Sequence, residues 1–249
     1  MEIGAQFYTV RDFTKTPEDL AETLKKVADI GYRHVQISGT CKYDPAWLKG
    51  ELDKNGLICD VTHIDRERLI EDTAQVIEDH KILDCPNIGV GYYGWDDRPD
   101  HSIEHFWSNY PRVAKQIKDG GKYFMYHNHD QEFKKIEGKL VMEHLMERFS
   151  PDELGFIMDT YWVQVGGGDP AQWLEKLAGR IPVIHLKDCG YAKRMEVIGE
   201  GNINFDRVFE KAEAGGTKVM FVEQDNCNGE DPFDCLRRSY QNLRAYGFR

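Results

Sequence analysis

Four apolar runs in the second half of this 249-residue chain end in side chains that can do metal or acid/base chemistry. Tyr126-His127-Asn128-His129, Met158-Asp159-Thr160, Ile184-His185-Leu186-Lys187-Asp188 and Val222-Glu223-Gln224-Asp225 each pass abruptly from core-type residues to imidazoles, carboxylates or an ammonium. Residues two apart on a strand share a face. His127 is paired in this way with His129, His185 with Lys187, and Glu223 with Asp225. Gln6 and His63 sit at the ends of two earlier apolar runs. Asp, Glu and His are ligand types that Mn²⁺, Mg²⁺, Co²⁺ or Zn²⁺ accept, and a mixed oxygen and nitrogen set leans to Mn²⁺ or Co²⁺. If these ends converge, they form a divalent-metal site, so a metal-dependent enzyme is expected. Each residue alone has a plainer reading. A strand-end histidine can be a hydrogen-bonded wall, Asp159 a helix N-cap, Lys187-Asp188 a surface ion pair and Glu223 a solvated side chain. All of these would have to hold together on four successive runs.

The elements that must position these residues alternate along the chain. Apolar, β-branched or aromatic runs at 3–8, 34–37, 57–62, 87–92, 122–126, 154–158, 181–184 and 218–222 predict strands. Helical patterns stand between them. One opens at Thr16-Pro17-Glu18-Asp19, where a cap, a first-turn proline and two acids coincide, and stops at Gly31. Others are expected over 45–56, 66–82, a stretch ending at Asp119, 140–149, a stretch opening at Asp169-Pro170, and 232–246, with an aromatic and charged loop at 93–102. Strict alternation means parallel strands, and eight of them at this length close most economically into one α/β domain over 1–249, a (β/α)8 TIM barrel. Its active site would lie at the C-terminal strand ends, where the polar residues are. No Gly-x-Gly-x-x-Gly follows the first strand, so a dinucleotide fold has no support.

Composition narrows the partners. Lys+Arg 32 against Asp+Glu 43 leaves a net charge of −11, which disfavours nucleic-acid binding. No apolar run approaches the roughly 20 residues of a membrane helix, and no signal-type segment opens the chain, so a cytoplasmic protein is expected. The six cysteines contain no Cys-x-x-Cys pair and read as scattered reduced thiols.

Further marks run the length of the chain: Gly4-Ala5-Gln6-Phe7-Tyr8-Thr9-Val10-Arg11-Asp12, His127-Asn128-His129-Asp130-Gln131-Glu132-Phe133, Asp159-Thr160-Tyr161-Trp162, Gly168-Asp169-Pro170 and Gly199-Glu200-Gly201-Asn202-Ile203-Asn204-Phe205. With the four strand ends above, and in this order, they resemble the sugar phosphate isomerase/epimerase superfamily, the xylose isomerase-like TIM barrels. The resemblance implies a metal set of Glu, Asp, His and Glu, placing Asp159, His185 and Glu223 as its second, third and fourth ligands. The first position departs: where many relatives open a Glu-Asn-His motif, this chain has His127-Asn128-His129. Either His127 takes that place or Glu132 folds back to fill it. Glu132 is preferred, since it restores three carboxylates and one imidazole and leaves His127 or His129 as a neutral base.

The implied activity is a metal-dependent isomerase or epimerase of a small keto-carbohydrate, acting through an enediolate. Family 3-epimerases use two metal-bound glutamates as opposed acid/base groups, and the departure removes the first. A lyase or dehydratase on a keto-sugar or keto-glycoside is therefore the alternative; an abasic-site endonuclease and a non-catalytic sugar-binding module are more distant ones. Lys187 would stand beside the substrate oxygens. Gln6, Tyr8, His63, Trp162 and Asp225 would bind substrate, with Tyr92-Tyr93-Gly94-Trp95 adding sugar-stacking walls, and a homodimer is the implied assembly.

Overall fold

Eight parallel strands close into a barrel in the computed structural model, which describes residues 1–96 and 98–248. They are β1 (Glu2–Gln6), β2 (His34–Ile37), β3 (Ile58–Ile64), β4 (Asn87–Val90), β5 (Tyr123–His127), β6 (Gly155–Asp159), β7 (Val183–Leu186) and β8 (Val219–Val222). β1 pairs with both β2 and β8, so the sheet has no edge, and the expected (β/α)8 barrel is the observed one. The helices outside are α1 (Pro17–Ile30), α2 (Pro45–Lys54), α3 (Arg66–Glu71), α4 (Thr73–Ile82) and α5 (Ile103–Asp119). They continue with α6 (Val141–Arg148), α7 (Thr160–Val165), α8 (Pro170–Lys176), α9 (Phe205–Ala214) and α10 (Pro232–Ala245). Among the described residues, no helix is long and apolar enough to cross a membrane.

Local chemistry accounts for most boundaries. Thr16 caps α1 by accepting the Asp19 N–H, and Gly31 ends it at φ 127°, a conformation L side chains rarely adopt. Four departures from the sequence reading have physical causes. β1 stops at Gln6 because the Gln6 side chain accepts the Tyr8 backbone N–H and turns residues Phe7–Phe13 into 3-10 turns. The helix expected over 66–82 divides at Asp72, whose φ −133° and ψ 43° are not helical. β7 begins two residues later than its apolar run and carries His185 inside the strand. α7 and α9 were not foreseen; Asp159 and Asn204 cap them, accepting from Trp162 N and Arg207 N.

Strand periodicity stacks the interior in layers. Val61, Met125, Ile157, Val183, Val219 and Phe221 form an apolar plug inside the barrel. Two residues further along five of these strands come His63, His127, Asp159, His185 and Glu223. Gly4 makes the plug possible: a Cβ there would lie 2.4 Å from the Phe221 ring. The alternate side chains, including Tyr126, Phe156 and Ile184, join the main core under the helices.

Candidate metal centre

His127, Asp159, His185 and Glu223 each turn one ligand atom towards the others, all within 4.8 Å. All four are buried. His185 Nδ1 lies 2.9 Å from Glu223 Oε2 and 3.7 Å from Asp159 Oδ2, and His127 Nε2 lies 3.4 Å from the same Asp159 oxygen. The far side of each group is already held. His127 Nδ1 donates to the Gly91 carbonyl at 3.0 Å, and His185 Nε2 stands 2.6 Å from Gln36 Oε1. Asp159 Oδ1 accepts the Trp162 N–H at 3.0 Å, and Glu223 Oε1 accepts from Gln6 Nε2 at 2.5 Å. Outer partners of this kind fix ligand tautomer and orientation. They leave His127 Nε2, Asp159 Oδ2, His185 Nδ1 and Glu223 Oε2 facing one space.

The charges there do not balance. Lys187, 1 % exposed, places Nζ 2.5 Å from Asp225 Oδ2, 3.4 Å from Glu223 Oε2 and 3.8 Å from Asp159 Oδ2. Three carboxylates against one ammonium leave two negative charges for the imidazoles or an ion to offset. Burial opposes ionisation of Asp159 and Glu223. Lys187 and the neighbouring imidazoles outweigh it, holding Asp159 at about 2 and Glu223 well below the usual carboxylate range. Burial likewise lowers His185, but Glu223 and Asp159 overcome it and raise the imidazole to about 9. The carboxylates thus demand positive charge at His185 Nδ1, an enclosed atom lacking a well-aligned hydrogen bond. A proton or a dication can supply it. The donor set, the charge deficit and an enclosed Nδ1 facing two carboxylates all fit a divalent ion.

A cavity of about 560 Å³ opens over the cluster. Gln6, Tyr8, His63, His127, His129, Trp162, Lys187, Glu223 and Asp225 line it, together with Ser38, Arg66 and Tyr92. Among the described residues, His129 has no hydrogen bond at either ring nitrogen, and its Nδ1 is fully enclosed. Burial first, then His127 and Lys187, push its pKa well below the ordinary value, which favours the neutral imidazole. Trp162 Nε1 and Asp225 Oδ1 are enclosed and partnerless as well. Burial and Glu223 raise Asp225 despite Lys187.

Two expectations are corrected. Glu132 does not fold back to the cluster. It lies on the helix side of β5, where Oε1 accepts from Tyr126 Oη at 2.5 Å and Trp95 Nε1 at 2.9 Å, and Oε2 from His129 N at 2.6 Å. Tyr126 alternates with His127 and points away from the barrel axis, which carries Glu132 with it. Burial pushes this carboxyl up to about 7, against those hydrogen bonds. His127 stands at the first position of the cluster instead. Tyr93 and Trp95 are also buried on that outer side, so only Tyr92 of the proposed stacking loop reaches the cavity. Asp188 is no surface ion: it accepts the backbone N–H groups of Cys189, Gly199, Gly201 and Ile203 and fixes the loop after β7. Gln36 was overlooked. Its one signal is an amide in the midst of an apolar strand.

Residues 12–245 match the family described as xylose isomerase-like TIM barrel. The chain is 26% identical to an inosose dehydratase of Geobacillus kaustophilus (strain HTA426) over 82% of its own length and 80% of the relative's. Among solved structures it is similar to a sugar phosphate isomerase/epimerase from Parabacteroides distasonis ATCC 8503, with TM-score 0.83 and 22% identity, covering 98% of this chain and 93% of that one. It is similar also to an L-ribulose 3-epimerase, with TM-score 0.77 and 16% identity over 98% and 94% of the two chains.

Proposed function

The chain belongs to the xylose isomerase-like TIM barrel family, and from that premise we propose a divalent-metal-dependent dehydratase or lyase acting on a small keto-carbohydrate. The ion would be held by His127, Asp159, His185 and Glu223. When bound, it supplies the Lewis acidity that makes a C–H next to a carbonyl removable. The observation carrying this reading is His129, the partnerless neutral imidazole of the cavity.

His129 takes the proton from the carbon beside the carbonyl at Nε2, the ring nitrogen that protein does not enclose. The electron pair left behind forms the new double bond as the substituent on the next carbon departs. The departing oxygen takes a proton from the Lys187 ammonium, which Asp225 orients at 2.5 Å, and leaves as water or an alcohol. Lys187 cannot be the base: burial lowers its pKa, but three carboxylates raise it further. Glu223 is less free to serve as a second base for 3-epimerisation, because Oε1 accepts from Gln6 and Oε2 faces His185 and Lys187.

Incubating the metal-loaded protein with keto-sugars and keto-glycosides in D₂O tests the reading. Release of water or aglycone with a new double bond or dione is the expected result. Deuterium uptake with skeleton and substituents retained would overturn elimination in favour of isomerisation or epimerisation.

A further inference from the structure

Gln36 belongs to no element the proposed chemistry uses, yet its carboxamide touches two imidazoles at the heart of the site. Gln36 is fully buried on β2, its Oε1 2.6 Å from His185 Nε2 and its Nε2 2.7 Å from His63 Nε2. His63 Nδ1 in turn lies 3.0 Å from Ser38 Oγ, at the cavity wall. The chain of contacts is Ser38–His63–Gln36–His185, and each link has a direction.

An amide oxygen only accepts and an amide nitrogen only donates. His185 Nε2 therefore carries a hydrogen, which leaves the Nδ1 lone pair for the cluster. The Gln36 N–H group needs an acceptor, so His63 Nε2 is bare and a neutral His63 keeps its hydrogen on Nδ1. That hydrogen is donated to Ser38 Oγ, and the Ser38 hydroxyl proton is left for the cavity. Turning the amide over would place a hydrogen on His185 Nδ1, where Glu223 can accept it, and occupy the lone pair that a metal ion needs.

We propose that Gln36 is the positioning residue of the site, setting the tautomers of His185 and His63 together, so that Ser38 presents an O–H donor to a substrate oxygen. His63 is then neither a base nor a substrate ligand but the link that orients Ser38. The His185 half of this inference rests on the proposed metal site; the His63 half rests on the placement of the Gln36 amide nitrogen beside His63 Nε2.

The test uses ¹⁵N-histidine-labelled full-length protein and long-range ¹H–¹⁵N spectra, which report the protonated ring nitrogen. In metal-free wild type, His63 is expected as the Nδ1–H tautomer. Gln36→Glu, whose second oxygen accepts where the amide donated, is expected to shift His63 to Nε2–H while Mn²⁺ affinity stays within a few-fold. Gln36→Leu is expected to weaken Mn²⁺ binding by roughly 10–100-fold, the usual cost of losing an outer partner. An Nε2–H His63 in wild type, or no change of tautomer in Gln36→Glu, overturns the proposal. So does unaltered Mn²⁺ affinity in a folded Gln36→Leu protein; if that variant does not fold, the Gln36→Glu arm decides alone. Wild-type protein that ignores Mn²⁺ would sink the metal reading and leave the His63 result standing.

Discussion

Asp159 serves two structures with its two oxygens: Oδ1 caps α7 through Trp162 N, and Oδ2 faces the cluster. The plain reading of this residue holds, and the chemical one is compatible with it, because each uses a different oxygen. Asp159→Asn keeps an oxygen for the cap but removes a charge from the metal space. We expect Mn²⁺ affinity, measured by calorimetry, to fall by at least about a hundredfold, more than the loss of an outer partner costs. The metal-free variant should melt lower than wild type at neutral pH, because Lys187 and the imidazoles hold the Asp159 carboxylate below its ordinary pKa and its charge therefore stabilises the fold. An unchanged metal-free melting temperature would show that the charge contributes nothing beyond the cap. His129→Gln removes the base and no cluster atom. Its kcat for elimination should drop roughly 10²–10⁴-fold, the usual contribution of a positioned acid or base, with Mn²⁺ affinity unchanged. Equal loss of both would make His129 a ligand.

Elements were legible where periodicity and punctuation agreed, and less so where a side chain overrode them. All eight strands could be read because a barrel strand is a short apolar run bounded by turn residues. The site could be read because the inward phase of five strands changes from the apolar plug to ionisable groups within two residues. Glu132 was misjudged because spacing does not reveal which side of β5 a returning loop takes; Tyr126 and Trp95 decide that. α4 shows the same dependence on a buried partner. Its His80 donates from Nδ1 to the Val76 carbonyl at 2.7 Å and accepts at Nε2 from Thr62 Oγ1 of β3 at 2.7 Å. Burial, opposed by the Val76 contact, lowers this histidine to about 4 from an ordinary 6.5. The unfolded chain therefore binds the proton more readily. The contribution is complete above 6.5 and is lost as pH falls towards 4, by about 3 kcal/mol at most. Urea melts of metal-free wild type and His80→Gln should differ in slope between pH 6.5 and 4, wild type losing more stability. Parallel profiles would mean that His80 is protonated in the fold.

At the scale of the whole molecule, the barrel places a charge deficit at its centre. The apolar plug blocks the interior from below, so the carboxylates over it meet the solvent only through the cavity. They cannot relax by spreading, and the net charge of −11 on the chain adds to the repulsion. Removing that repulsion is worth most in the folded barrel, because the unfolded chain scatters the same carboxylates in water. A divalent ion should therefore stabilise the fold as well as serve its chemistry. At a thousandfold excess over Kd, mass action gives about 4 kcal/mol, which for a chain of this size raises Tm by roughly 8–16 °C. Calorimetric melts with Mn²⁺, with Mg²⁺ and with EDTA would measure it. A rise with Mn²⁺ that disappears in His185→Ala, whose imidazole supplies Nδ1, is the expected outcome. A rise of equal size in His185→Ala would place the stabilising ion on the acidic surface and remove the cluster from its role as the metal centre.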